Sequence, residues 1–207
     1  RTTPHPWQLV GARRVLARRG GLVAFDVGVG KTLTGLLTLA MARQEGWARR
    51  PVLLVPRSLL WKWEADVHNC LPDYSCIVIG SSRGKKRGGG DTTRTDSVDV
   101  QAAKWTAFQA GLHDVAICSY ESFGRIQVRA SSLREYAAST EAVLREVKLK
   151  QDALREQDKK GKKELSERER AILTHGVEGW LSEKLEPPKG QPYLPGITWE
   201  DVGVDLL

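Results

Sequence analysis

Apolar and polar positions along the chain follow two different rhythms. In residues 6–17, Trp7, Leu9, Val10, Val15 and Leu16 recur at helical spacing and Arg18-Arg19-Gly20-Gly21 closes the segment, which predicts a helix and a turn. Leu22 to Phe25 reads as a short buried strand, Asp26 to Gly30 is punctuated by glycine, and Thr32 to Arg43 is apolar on several sides, as a buried helix is. The unit then repeats. Val52 to Val55 is a strand ended by Pro56, followed by helical periodicity from Leu59 to Val67. Cys76 to Ile79 is a third strand, Val98 to Gly111 a helix, and Val115 to Cys118 a fourth strand. Strands that alternate with helices in this way predict an α/β fold, a parallel sheet with helices on both faces. Between the third strand and its helix, residues 81–95 are rich in Gly, Ser, Lys, Arg and Thr and read as a mobile surface loop.

From residue 131 to about residue 185 the rhythm changes. No strand candidate appears, charges alternate in sign, and Leu133, Tyr136, Val143, Val147 and Leu154 mark one long helix while Leu165, Leu173, Val177, Trp180 and Leu181 mark a second. Ser132 with Glu135 and Ser166 with Glu169 have capping-box spacing, and Lys159-Lys160-Gly161-Lys162-Lys163 reads as the turn between the arms. The expectation is an antiparallel helical hairpin inserted in the α/β domain, its first arm roughly 40 Å long. Thr198 with Asp201 can cap a short helix, and Asp205 then begins an apolar run that reads as a returning strand. The predicted organisation is residues 1–130 as the first part of the α/β domain, 131–190 as the hairpin, and 191–207 as the return to the sheet.

Charge sharpens this picture. Residues 1–70 hold 11 basic and 4 acidic side chains, whereas residues 131–190 hold 13 against 12, so the overall +7 comes from the first third. A nearly neutral, charge-rich helical segment is a solvated face; an unbalanced Arg-rich region attracts polyanions such as nucleic acid. Cys70, Cys76 and Cys118 fit no short zinc-ligand spacing and read as reduced structural thiols, which points to a cytoplasmic setting. The longest apolar runs fall far short of a membrane span, so no membrane partner is expected.

The strongest chemical signal is Gly28-Val29-Gly30-Lys31-Thr32, which follows a strand candidate and opens a helix. A phosphate chain needs backbone N–H donors that curl around it, the positive end of a helix, a lysine reaching the terminal phosphates and a hydroxyl for magnesium; all four occur here in order. Phe25 stands where the widest form of the motif has glycine. The residues predicted to hold ATP are therefore Gly28, Val29, Gly30, Lys31 and Thr32, with Thr32 as the Mg2+ ligand. Gln8 lies 20 residues before Gly28, and its carboxamide can match the donor and acceptor edge of adenine. Arg57, Ser58, Lys62, Ser119 and Tyr120 stand just past the C-terminal ends of their strands, the edge at which open α/β sheets bind ligands, and are candidate contacts to a sugar-phosphate backbone.

These segments together resemble successive motifs of superfamily 2 helicases. Pro6-Trp7-Gln8-Leu9-Val10-Gly11, the Gly-Val-Gly-Lys-Thr loop, Leu54-Val55-Pro56-Arg57-Ser58-Leu59-Leu60-Trp61-Lys62-Trp63 and Cys118-Ser119-Tyr120-Glu121-Ser122-Phe123 are most similar to the SNF2-like translocase branch. The resemblance implies a RecA-like P-loop sheet, adenine read by Gln8, catalytic phosphate contacts from Lys31 and Thr32, and DNA gripped at Arg57, Ser58, Lys62, Ser119 and Tyr120. Lys62 departs from the family, which usually has Gln before the Trp. The tail from Trp199 to Leu207 is similar to the approach to the Asp-Glu-Ala-His box. The resemblance therefore implies that the Walker B carboxylates and a second RecA-like lobe complete the site, and that this fragment is inactive alone. The inserted hairpin resembles that of large helicase–methyltransferase proteins of phages and plasmids.

Two other readings keep the same residues. Another P-loop ATPase, such as a restriction-type translocase subunit, would share the phosphate loop. A non-catalytic nucleotide-binding scaffold would use the hairpin, with its lysine-rich turn, to dock a protein partner.

Overall fold

The computed structural model describes residues 3–46, 48–85, 91–159, 164–187 and 190–202. The chain divides into two compact units, residues 1–126 with 194–207, and residues 127–193.

In the first unit, α1 (Pro6–Ala17) and α2 (Lys31–Gln44) precede β1 (Val52–Val55), a 3-10 turn (Arg57–Leu59) and α3 (Leu60–Cys70). Then come β2 (Cys76–Ile79), β3 (Ser81–Lys85), β4 (Asp91–Thr95), α4 (Val98–Gln109), β5 (Val115–Ser119) and the single turn α5 (Tyr120–Phe123). β1, β5 and β2 form a parallel sheet in that order, with Leu54 opposite Cys118 and Val78 opposite Ile117. β5 is central and buried along its whole length, as its unbroken Val-Ala-Ile-Cys run requires of a strand covered on both faces.

Side-chain alternation along β5 separates the two layers. Ala116 and Cys118 face a cluster with Ile79, Trp105, Phe108 and Phe123, completed by Ile197 and Val202 from the end of the chain. Ile117 faces the other cluster, with Leu36 of α2, Val55, and Leu60 and Val67 of α3. Helices thus cover both faces of a parallel sheet, an arrangement that fits a RecA-like fold.

Two segments of this unit differ from expectation. Residues 22–25 pair with no strand among the described residues, and Leu22 is 90% exposed. An apolar run is only half of a strand; the other half is a ladder of hydrogen bonds, which residues 22–25 do not make with the described strands. Residues 81–95 do the reverse. Their two polar arms pair antiparallel, Ser81 opposite Thr95 and Arg83 opposite Thr93, where a loop was expected.

The second unit carries α6 (Ala130–Ser139), α7 (Glu141–Lys159), α8 (Glu167–His175) and α9 (Val177–Leu185). Each expected arm is thus broken once. Thr140 is extended, with φ −117° and ψ 108°, and Gly176 takes φ 56° and ψ −116°, which favours glycine. Ala137, Val143, Val147, Trp180 and Leu181 form one core, and Leu154, Leu165 and Ile172 a second. Gln151 Nε2 donates to the Ile172 carbonyl at 3.0 Å, and Lys150 pairs with Glu183 at 2.6 Å. A β-carbon on Gly179 would lie 2.3 Å from the Ala171 carbonyl oxygen, so α8 and α9 approach more closely than any side chain at this position allows. Ser166 and Glu169 form the reciprocal capping box at the start of α8, whereas Ser132 and Glu135 lie inside α6, whose N-cap is Arg129. The turn at 160–163 and the returning strand at 205–207 lie outside the described residues. A last helix, α10 (Trp199–Val202), belongs to the first unit. None of the helices described is long and apolar enough to cross a membrane.

Candidate functional site

The site is built where α2 begins. Gly28 and Gly30 have φ of 86° and 85°, left-handed values that side chains with a β-carbon resist, and Gly30 is the N-cap residue of α2. No side chain caps this 14-residue helix, so the unsatisfied N–H groups of its first turn are available to an anion. Lys31, the first helical residue, is exposed, and its Nζ turns back to donate to the carbonyls of Phe25 at 3.0 Å and Asp26 at 2.9 Å. Thr32 follows, partly exposed.

Gln8 locks this loop to α1. Its side chain is 3% exposed; Oε1 accepts from His5 N–H at 2.8 Å, closing the start of α1, and Nε2 donates to the Val29 carbonyl at 3.0 Å. Each half of the carboxamide is engaged once, which leaves one N–H and one lone pair. The rings of His5 and Trp7 stack beside it with centroids 4.3 Å apart. A cavity of about 540 Å³ opens between Gln8, the glycines of the loop and Thr32. That volume lies in the range of small-ligand sites. Lys62 and Asp66 of α3 line the same cavity and pair with each other at 2.7 Å.

The helix N–H groups and the Thr32 hydroxyl at this cavity could hold a phosphate chain with its magnesium, with the Lys31 ammonium group next to them in the chain. Among the described residues no cluster of His, Cys, Asp or Glu could hold a metal ion on protein ligands alone. The three cysteines are free. Burial pushes the Cys118 thiol far up, and burial with the nearby Glu64 carboxylate raises Cys76 to about 11, so neither is an activated nucleophile.

A second group of residues stands at the C-terminal edge of the sheet. Arg57 and Ser58 are exposed in the turn after β1, and Arg57 donates to Thr95 Oγ1. Tyr120, the first residue of α5, is 56% exposed. Ser119 lies beneath, 2% exposed, and its hydroxyl caps α5 by accepting from Ser122 N–H at 3.3 Å. Glu121 is held below the usual carboxylate range by its own backbone N–H, by the Ser119 hydroxyl and by the Arg57 guanidinium.

The predicted residues therefore separate by position. Gln8, Gly28, Val29, Gly30 and Thr32 line one cavity, Lys31 turns its ammonium group to the Phe25 and Asp26 carbonyls, and Arg57, Ser58 and Tyr120 share the exposed sheet edge. Ser119 supports that edge from below. Lys62, expected with the edge group, lies on the cavity side. Sequence reasoning missed Asp66, although its place four residues after Lys62 is the ordinary spacing of a helical ion pair.

Comparison with known proteins bears on these residues. The family model for the SNF2-related domain matches residues 11–175. The chain is also 27% identical over 89 residues to the ATP-dependent helicase BRM of Arabidopsis thaliana, across 41% of this chain and 4% of that protein. The chain thus spans a small fraction of that relative's length.

Proposed function

The chain belongs to the SNF2-related domain family, and on that premise we propose that it forms the ATP-binding RecA-like lobe of a helicase-like translocase that couples ATP hydrolysis to movement on DNA or its remodelling. The observation that carries this reading is the convergence of Gln8, the Gly28–Gly30 loop and Thr32 on one nucleotide-sized cavity at the start of α2.

In this reading Gln8 offers its free N–H and lone pair to the adenine edge while still holding Val29. The loop N–H groups and the α2 N-terminus receive the phosphates. Lys31 leaves the Phe25 and Asp26 carbonyls for the β- and γ-phosphates, exchanging two neutral acceptors for charged ones. The Thr32 hydroxyl would hold Mg2+, which would supply charge neutralisation at the phosphates. Arg57, Ser58 and Tyr120 contact the DNA backbone without reading sequence. The carboxylates that position water and a second RecA-like lobe complete the catalytic site. The inserted unit carries the narrower likeness to helicase–methyltransferase proteins of phages and plasmids.

The test is Lys31→Ala in the intact protein. Loss of Mg-ATP turnover with an unchanged fold is expected, because Lys31 is exposed and its ammonium group donates to two loop carbonyls. Losing a charge-assisted contact of this type costs about 1.5–3 kcal/mol of nucleotide binding. Unchanged turnover would refute the assignment.

A further inference from the structure

β3 and β4 are short and polar, and a two-stranded hairpin of that kind is marginal in water without an anchor. Here the anchor is an ion pair between a buried carboxylate and a partly buried lysine. Asp96, its side chain 1% exposed, accepts from Lys104 Nζ at 2.7 Å and from Gly80 N–H at 3.0 Å. Lys104 also donates to the carbonyls of Val78 and Ser81 and to Ser82 Oγ, at 2.7, 2.8 and 3.0 Å. Gly80 precedes β3 and Asp96 follows β4, so a single pair fixes both feet of the hairpin. A pair of this kind, satisfied by this many hydrogen bonds, tolerates one geometry, since moving either partner leaves a charge uncompensated.

Two further contacts hold the hairpin against its neighbours. The Arg83 guanidinium lies 4.6 Å from the centroid of the Trp61 ring and pairs with Glu64 of α3 at 2.7 Å. Arg57 donates to Thr95 at the last residue of β4. The hairpin therefore rises as a fixed element from the C-terminal end of β2 and continues the surface that holds Arg57.

Its chemistry suits a polyanion. The sequence from 81 to 95 contains five basic residues and one acidic residue. Arg94 is exposed; its backbone pairs opposite Ser82 and its carbonyl accepts from Ser81 Oγ at 3.1 Å, while its guanidinium makes no hydrogen bond or ion pair among the described residues. Nearby carboxylates are already engaged: Glu64 with Arg83, Asp66 with Lys62, and Asp96 with Lys104. The described hairpin residues include no apolar side chain, and a protein partner would need an apolar or aromatic centre on which to exclude water.

We propose that the β3–β4 hairpin is a fixed DNA-backbone contact in which Arg94 and Arg83 hold phosphates, extending the contact made at Arg57. The proposal rests on the reading of DNA as the partner. The experiment is titration of the intact protein with a fluorescein-labelled mixed-sequence DNA duplex across a range of salt concentrations. It compares wild type, Arg94→Gln, Arg83→Gln/Arg94→Gln and Arg57→Gln. Each arginine that holds a phosphate contributes about 0.9 to the slope of log affinity against log salt. Arg94→Gln should flatten the slope by about that amount and the double variant by up to twice as much, with Mg-ATP affinity in the absence of DNA unchanged. The Arg94 guanidinium has no hydrogen-bond or ion-pair partner among the described residues, so its variant carries the test even if Arg83→Gln disturbs the packing on Trp61. A flattened slope in Arg57→Gln alone would overturn the hairpin proposal and leave the DNA reading standing. Failure of wild type to bind the duplex would remove both. Binding of an acidic polypeptide in preference to the duplex would assign the hairpin to a protein and also overturn the proposal.

Discussion

The side chain of Gln8 occupies the space that a β-carbon on Gly30 would need, since a carbon built there would lie 2.2 Å from Gln8 Nε2. Gly30 is thus constrained twice, by its left-handed φ of 85° and by this approach. The two constraints can be separated. Gly30→Ala should destabilise the protein by about 1–3 kcal/mol through backbone strain, with the collision adding to it. Removing the glutamine side chain relieves the collision alone, so Gln8→Ala/Gly30→Ala should be less destabilised than the sum of its single variants. Urea denaturation of the four proteins measures this coupling, and strict additivity would show that the loop moves away from Gln8 at no cost.

Gln8 also tests base choice. A site built for the donor and acceptor pattern of adenine rejects guanine, so Gln8→Ala should weaken ATP more than GTP. Because Nε2 also holds Val29, both nucleotides should lose some affinity through the loosened loop. Competition of each nucleotide against a fluorescent analogue gives the two losses, and equal losses would reduce Gln8 to a purely structural role.

Much of this arrangement is legible in the amino-acid sequence. The strands Val52–Val55, Cys76–Ile79 and Val115–Ser119 are short apolar runs bounded by polar or turn residues, and such a run in a parallel sheet has few alternatives. The β3–β4 hairpin was not legible, because its arms lack alternation and its stability comes from Lys104, which lies beyond both strands in sequence. The role of Ser119 was hidden for a similar reason: a serine after a strand reads equally well as a ligand donor or as the cap of the next turn. Thr140 breaks a helix with neither glycine nor proline beside it, whereas Gly176 was a visible signal at the break in the other arm.

Ser119 and Tyr120 should therefore respond differently to substitution. Ser119→Ala removes the cap of α5 and should cost about 1 kcal/mol of stability. Tyr120→Ala, at an exposed position, should leave stability nearly unchanged and weaken DNA binding. Thermal denaturation and duplex titration on the same preparations distinguish the two. A stable Ser119→Ala that loses DNA affinity would make the hydroxyl a direct contact.

Asp114 supplies a dependence on pH. Burial raises its carboxyl, but hydrogen bonds from the Ser75 hydroxyl and N–H at 2.7 and 2.8 Å, with the Arg43 guanidinium, outweigh that effect and hold it below its ordinary value. A depressed carboxyl stabilises the fold above its unfolded value, about 3.9, and that contribution is lost as pH falls through the lower folded value. Wild type should therefore exceed Asp114→Asn in urea midpoint by a constant margin near neutrality, and the margin should close below about pH 4. A margin independent of pH down to acid unfolding would mean that the hydrogen bonds, and not the charge, carry the link between α2 and the sheet.

The inserted unit can be removed at a defined seam. Leu194 N–H donates to the Arg125 carbonyl at 2.9 Å, so the chain leaves the first unit and re-enters it at hydrogen-bonded neighbours. The cores are separate as well: Ile126, Leu194, Ile197 and Val202 belong to the cluster under the sheet, while the Val147–Trp180 and Leu154–Ile172 clusters lie wholly within residues 127–193. Replacing residues 127–193 with a short Gly-Ser linker should leave the first unit folded, because a twofold change in loop length alters closure entropy by only about 0.6 kcal/mol. Mg-ATP affinity should also survive, since every residue lining the cavity beside Gln8 belongs to the first unit. Circular dichroism and nucleotide titration of the shortened protein measure both. A folded variant that no longer binds nucleotide would place part of residues 127–193 in the nucleotide site, and the unit could not then be an accessory arm.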